Sequence, residues 1–354
     1  MAFSTDSDFN TRIRRARLFI LGAGFSAGAG LPLTEGLLDG ALEKLSLESP
    51  GIFSRVRRYA EDIIGASNTE TTDIPKIKFS DLCTYLEFIE LREFGGGERW
   101  SANGSREKIA LRFYLAKTLV ERTPSRELLP KIYLDFASQL HEADVIISLN
   151  WDCLLEVALE AVGKRYTYND SDEGAIRLYK LHGSVNWRVG KPNHFGVPVD
   201  TLSWTPLNFT NGMMSREVYY SGALLNVDTW DGFRPLGEVD PFLVLPGYGK
   251  AYDVRDNAPS WYKLDWAFAC THDIYVIGLG LAKDDFFVRS LLLSTLPYLS
   301  RSQGTEGRRV IIINPDEDAS AHYDFVLSRG HAELLNTCFL AEHVVLMNAR
   351  LSTS

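Results

Sequence analysis

Cysteine is scarce: Cys83, Cys153, Cys270 and Cys338 are the four in 354 residues, and no C-x-x-C pair exists. This spacing argues against a structural zinc site built on clustered thiols, and fits buried free thiols in a reducing compartment. Histidine is equally dispersed, and His141, His194, His272, His322, His331 and His343 have no partner spacing for a metal. No bound metal is therefore expected. No apolar run approaches the ~20 residues of a membrane span. The N-terminus, Met-Ala-Phe-Ser-Thr-Asp, has an acid where a signal peptide wants basic residues and an apolar stretch. The reading is a cytoplasmic protein with no membrane contact. Positive charge is also in deficit, with 37 Lys and Arg against 46 Asp and Glu, a net charge of -9. Direct nucleic-acid binding is not expected of so acidic a chain, because it needs basic surface to displace counterions. Internal repeats, heptads and low-complexity tracts are absent.

What remains is ordinary globular composition, long enough at roughly 150 residues per domain for two units or one large α/β domain with insertions. Short apolar runs that stop at glycine or a polar residue read as buried parallel strands. They are Arg17–Gly22, Asp144–Leu149, Ala175–Leu181, Phe242–Leu245, Asp273–Gly278 and Arg309–Asn314. Helical spacing groups Leu82, Tyr85, Leu86 and Ile89, and likewise Ile109, Phe113, Ala116 and Val120. Glu127–Leu140 reads as helix with Pro130 in its first turn or at a kink, and Asp285–Leu296 as another helix. Ser67–Thr72 and Gly95–Gly104 read as loops. The basic run Arg12–Arg17 reads as a solvated or partner-facing segment. Strands alternating with helices predict a doubly wound, Rossmann-like, mostly parallel sheet. Residues 1–45, 141–185 and 241–354 would form this core. Residues 46–140 would be a helical insertion, and 186–240 a small irregular or β-rich one.

Most of these strands end in a polar or glycine cluster: Gly22-Ala-Gly24, Asn150-Trp-Asp152, His182-Gly183, Gly278-Leu-Gly280 and Asn314-Pro315. Open α/β sheets bind ligands at the carboxyl ends of their strands, so the clusters should converge on one crevice. Gly22-Ala23-Gly24-Phe25-Ser26-Ala27 matches the dinucleotide pattern G-x-G-x-x-G/A, whose glycines let main-chain N–H groups approach a pyrophosphate. Two features depart from a hydride-transfer unit. Pro32 prevents a long helix from leaving the loop, and no second strand ends in an acid about 20 residues on.

Gly22-Ala-Gly-Phe-Ser-Ala-Gly-Ala-Gly-Leu-Pro32 resembles the opening motif of the sirtuin fold. Ser148-Leu-Asn150-Trp-Asp152 resembles that family's T-x-N-x-D motif, and Lys180-Leu-His182-Gly183-Ser184 its catalytic histidine-glycine motif. Ile277-Gly278-Leu-Gly280 with Asp284-Asp285 looks like the I-G-x-S-x-x-x-x-D segment of the bacterial sirtuin-like branch. Ile312-Ile-Asn314-Pro315 is similar to its ribose-contacting segment. The four-cysteine ribbon of the protein deacylases is missing between residues 183 and 240, and Leu33-Thr34-Glu35 replaces their D-F-R. The wording is closer to zinc-free, sirtuin-like effectors of bacterial antiphage defence, which hydrolyse NAD+. The resemblance implies an NAD+-depleting, abortive-infection role. It also implies a homo-oligomer, or a chain working beside a HerA-type ATPase or a short Argonaute-like protein. With only about 40 residues after Asn314-Pro315, no sensor domain is expected.

Cleavage of the nicotinamide–ribose bond passes through an oxocarbenium-like state, as glycoside cleavage does. Asn150 offers a neutral amide to orient ribose or water. His182 suits general-base work on a ribose hydroxyl or a water. Asp152 could orient the site, bind the carboxamide or stabilise positive charge. Ser26 could meet phosphate or ribose, and Asn314 and Asp316 the adenosine ribose. Gly278 and Gly280 belong to the same ligand-facing set. Asp284 and Asp285 read as a helix cap and first-turn charge. Three alternatives stay open: an ADP-ribosyltransferase, a zinc-free deacylase, and a non-catalytic module that senses NAD+ or ADP-ribose.

Overall fold

The structure, a computed structural model, describes residues 16–64, 77–92, 100–101, 104–168, 172, 174–189, 201–202, 218–220, 241–247, 250, 260–261, 263–281, 285–299, 309–328 and 332–349. The Ser67–Thr72 loop, most of the 95–104 and 186–240 stretches, the start of the Arg12–Arg17 run, His194, His331 and Asp284 lie outside those residues.

Strands follow the chain as β1 (Arg17–Leu21), β2 (Trp100–Ser101), β3 (Gly104–Ser105), β4 (Val145–Ser148), β5 (Tyr166–Thr167) and β6 (Ile176–Lys180). They continue as β7 (Gly183–Val189), β8 (Thr201–Leu202), β9 (Val218–Tyr220), β10 (Pro241–Leu243), β11 (Asp273–Ile277), β12 (Val310–Ile313) and β13 (Ala332–Leu335). Seven form one sheet in the order β13-β12-β11-β1-β4-β6-β5, with every pair parallel. β1, β4, β11 and β12 are largely buried on both faces and accordingly read as continuous apolar runs, whereas the edge strands β5 and β13, only partly buried, give no such run. Along β1 the faces alternate: Phe19 and Leu21 pack with the helices Thr34–Glu48, Phe79–Arg92, Arg106–Arg122 and Lys131–Gln139. Leu18 and Ile20 pack on the other side with Leu264–Cys270 and Phe286–Leu299. The sheet is doubly wound and Rossmann-like, as the alternation of runs predicts. Pro130 stands immediately before Lys131–Gln139, so it opens that helix and does not kink it.

Two assignments change. Phe242 and Leu243 do not join the parallel sheet; β10 pairs antiparallel with β7 in a separate four-stranded sheet, β10-β7-β9-β8. Gly183 is the hinge, with φ 76, and a Cβ there would lie 2.1 Å from the Phe242 carbonyl oxygen. No other residue allows β7 to leave β6 so sharply while β10 crosses it. The second sheet thus begins at Gly183 rather than at 186. Arg17, placed by its sequence in a solvated basic run, is 3% exposed and doubly paired to Asp144, itself 1% exposed. Asp144 also accepts the Arg17 backbone N–H, so the pair fastens the amino end of β1 to the start of β4, at the end of the sheet remote from the glycine loops.

The chain leaves β1 for β4 on one side and later returns to β11 on the other. The reversal makes the carboxyl end of β1 a topological switch point, the place where open α/β sheets receive ligands.

Candidate active site

The loops that follow β1 and β11 meet backbone to backbone. Gly24 N donates to Gly278 O at 2.8 Å, and Gly22 N to Ile277 O at 3.0 Å. A Cβ on Gly22 would come 2.5 Å from Leu279 Cα, and one on Gly24 2.8 Å from Gly278 Cα. Gly278 itself has φ 63, and its Cβ would strike Phe25 N at 2.2 Å. These glycines are therefore required by loop-on-loop packing, before any ligand is considered. Gly280 differs: a Cβ there would meet nothing within 4 Å among the described residues. Its neighbour Leu281 is buried with φ 49, a strained conformation for a branched side chain. The helix leaving the first loop is only Ala23–Ala27, in accord with Pro32.

Asn150, just past β4, closes on the first loop. Its Nδ2 donates to Gly22 O at 2.9 Å and Ser26 Oγ at 3.1 Å. Both amide protons are thereby committed, which leaves the Oδ1 acceptor for anything entering the site. Asp152 is buried, and its Oδ1 caps the helix Leu154–Ala161 through Leu154 N at 3.0 Å. Burial pushes its carboxyl upward, against the opposing pull of Lys180 and the Leu154 N–H. Lys180 in turn donates to Asp152 O at 2.5 Å and Glu156 Oε1 at 2.9 Å. Tyr168 OH and Asn186 extend that buried network. Neighbouring Cys153 is buried with its thiol pushed up to about 12, which keeps it protonated and unreactive at neutral pH.

His182 follows β6. Trp151 Nε1 donates to its carbonyl at 3.0 Å, and Val244 N donates to the same oxygen at 2.8 Å. The ring's Nε2 stands 3.2 Å from Asp285 Oδ2, an ion-pair approach that falls short of hydrogen-bond geometry. Lys250 Nζ lies 2.5 Å from Asp285 Oδ1. Burial alone would raise the Asp285 carboxyl, but His182 and Lys250 outweigh it and hold the group well below the usual carboxylate range.

The strand-end clusters do converge. Gly22 touches the loop of Gly278, Asn150 holds Gly22 and Ser26, and His182 pairs with Asp285 beyond β11. Asn314 joins through Nδ2 to Leu279 O at 2.9 Å, while its Oδ1 accepts Asp316 N at 3.0 Å. Other candidates have structural work. Phe25 packs its ring on Tyr133, Phe136 and Phe339, so only its backbone can face a ligand. Asp316 is exposed and accepts Asp318 N at 3.0 Å. Ala23 is half-buried at the start of its short helix. The pairing roles of Asp285 and Lys250 escape sequence reasoning. Asp285 is indeed a cap, since Val288 N donates to Oδ1 at 3.2 Å, and that local role hides its longer-range one. Lys250 carries no periodic or motif signal.

No family model and no curated protein matches the chain. Among solved structures it aligns with Sir2Tm bound to a propionylated peptide, at 12% identity over 98% of each chain and a TM-score of 0.37. A complex of Sir2 with the inhibitor EX-527, 2'-O-acetyl-ADP-ribose and deacetylated p53 peptide aligns at 13% identity, over 99% of this chain and 100% of that one, with a TM-score of 0.37. A likeness of that degree carries no functional inference.

Proposed function

We propose that this chain is an NAD+ glycohydrolase that breaks the nicotinamide–ribose bond and releases nicotinamide and ADP-ribose. One observation carries the reading: a histidine paired with a carboxylate follows β6 at the carboxyl end of the parallel sheet, tied by the Trp151 side chain to the segment whose Asn150 holds the first glycine loop at the switch point. The scissile C1′–N bond breaks with its electron pair leaving to the pyridinium nitrogen, so nicotinamide departs neutral. Asn150 Oδ1, the acceptor its own hydrogen bonds leave over, suits the cationic ribose or a water proton and would repel an anion. Water then adds to C1′, and His182 takes its proton. Asp152, two residues beyond Asn150, adds negative potential beside the developing charge when ionised. Gly22, Ala23, Gly24, Phe25, Ser26, Gly278, Gly280, Asn314 and Asp316 would line the dinucleotide side. The motif resemblance motivates the biological setting, an NAD+-depleting antiphage effector acting as a homo-oligomer or beside a HerA-type ATPase or short Argonaute-like protein.

The test is incubation of purified protein with NAD+ and chromatography of the products. Nicotinamide and ADP-ribose in equal amounts are expected, and their loss in His182→Ala. An ADP-ribosyltransferase would yield nicotinamide without matching free ADP-ribose, a deacylase would need an acylated peptide, and a sensor would bind NAD+ and leave it intact.

A further inference from the structure

Asp285 is fixed from two directions. Its Oδ1 is held by Lys250 Nζ at 2.5 Å and by Val288 N at 3.2 Å, which prevents the carboxylate from rotating. Its Oδ2 is thereby kept beside His182 Nε2, 3.2 Å away. That nitrogen is buried and has no hydrogen-bond partner of good geometry among the described residues, so Asp285 is the group placed to receive a proton carried on it. The other ring nitrogen, Nδ1, makes no hydrogen bond to the described residues. The His182 carbonyl is clamped by Trp151 and Val244, and Gly183 has a fixed positive φ just beyond it, so the backbone that carries the ring is held in place. A carboxylate against one imidazole nitrogen selects the tautomer, since the facing nitrogen keeps its proton and the far one keeps its lone pair.

We infer that Asp285 is a positioning residue that holds His182 as the Nε2–H tautomer, with Lys250 and the Val288 N–H steering the carboxylate, so that Nδ1 is the atom that accepts the proton in the proposed reaction. The inference deepens the hydrolase reading and rests on it for the role of Nδ1; the tautomer itself does not depend on activity. Lys250 neutralises the carboxylate's charge without competing for Oδ2. A histidine left to itself would divide between tautomers, and the share with the wrong nitrogen protonated would be idle.

Full-length protein with 15N-labelled histidine provides the direct test, with the His182 signals assigned by their loss in His182→Gln. At a pH where the ring is neutral, wild type should show Nε2 protonated and Nδ1 bare. In Asp285→Asn, which keeps an oxygen for the Val288 cap, the tautomers should mix. NAD+ turnover should then fall by roughly 10²-fold in kcat, with KM within about two-fold, the upper range for losing an outer-shell carboxylate that orients a histidine. Lys250→Met should lower kcat by a smaller factor, about ten-fold, the range of an outer-shell partner. A wild-type ring protonated on Nδ1 overturns the inference without any variant, even if Asp285→Asn fails to fold. Asp285→Asn with unchanged tautomer and unchanged kcat overturns it as well. If wild type shows the Nε2–H form but cleaves no NAD+, the hydrolase reading fails and the Asp285 assignment stands.

Discussion

Replacing His182 or Asn150 by alanine should each cut NAD+ cleavage by roughly 10²-fold or more, the scale of a lost acid–base or orienting group, measured as kcat on purified protein. The two variants should differ in stability. Asn150 also ties Gly22 to Ser26, so its truncation should cost about 1–3 kcal/mol in denaturant unfolding through the acceptors left behind, whereas His182→Ala should cost less. Asp152 and Asp285 should respond oppositely to pH. Asp285 is held below the ordinary aspartate value of 3.8, so the stability it contributes is complete above that value and fades as pH falls below it. Asp152 is raised above 3.8; the unfolded chain gives up this proton first, and stability drains as pH rises from 3.8 toward the folded value. Relative to wild type, Asp152→Asn should therefore be more resistant to denaturant at pH 7 than at pH 4, while losing activity. Equal pH dependence in the two proteins would contradict the burial of that charge.

Glycines separate the packing of the loops from their contact with ligand. Gly24→Val should unfold the β1–β11 junction and not merely weaken NAD+ binding, because the new side chain meets Gly278 at the Cβ position. Gly183→Ala should destabilise by more than about 1 kcal/mol, the floor for a side chain forced to positive φ, since φ is 76 and the Phe242 carbonyl blocks it. Gly280→Ala meets nothing among the described residues and should keep the wild-type melting temperature; if the dinucleotide lies along this loop, KM rises. At the amino end of the sheet, Arg17→Ala leaves Asp144 buried without its partner and should cost about 3–5 kcal/mol, with no effect on KM once the variant is folded. Circular dichroism melts and steady-state kinetics distinguish all four.

For the whole molecule, β1, β4, β11 and β12 are legible in the sequence because they are largely buried on both faces and announce themselves as apolar runs ending in glycine or a polar residue, and β6 by its alternation, whereas the edge strands β5 and β13 are only partly buried and escape the sequence reading. The convergence of their ends follows from topology alone. Pairing is not legible. Phe242–Leu245 is as apolar as β11, yet β10 pairs with β7 in the second sheet, beside the turn that the positive φ of Gly183 makes. The glycine loop is recognisable by pattern, yet its first duty is steric, toward Gly278 and Leu279. Asp285 reads in sequence as a local cap, and the contact with His182, separated by some hundred residues, exists only once β6 and β11 are in place on either side of β1 and β4. The central claim is that this junction cleaves NAD+, and the most direct measurement is product analysis of wild type and His182→Ala side by side over a range of protein concentrations. Wild type should convert NAD+ to equimolar nicotinamide and ADP-ribose, and His182→Ala should bind NAD+ and leave it whole. Intact NAD+ with wild type at every concentration, or equal cleavage by both proteins, would contradict it.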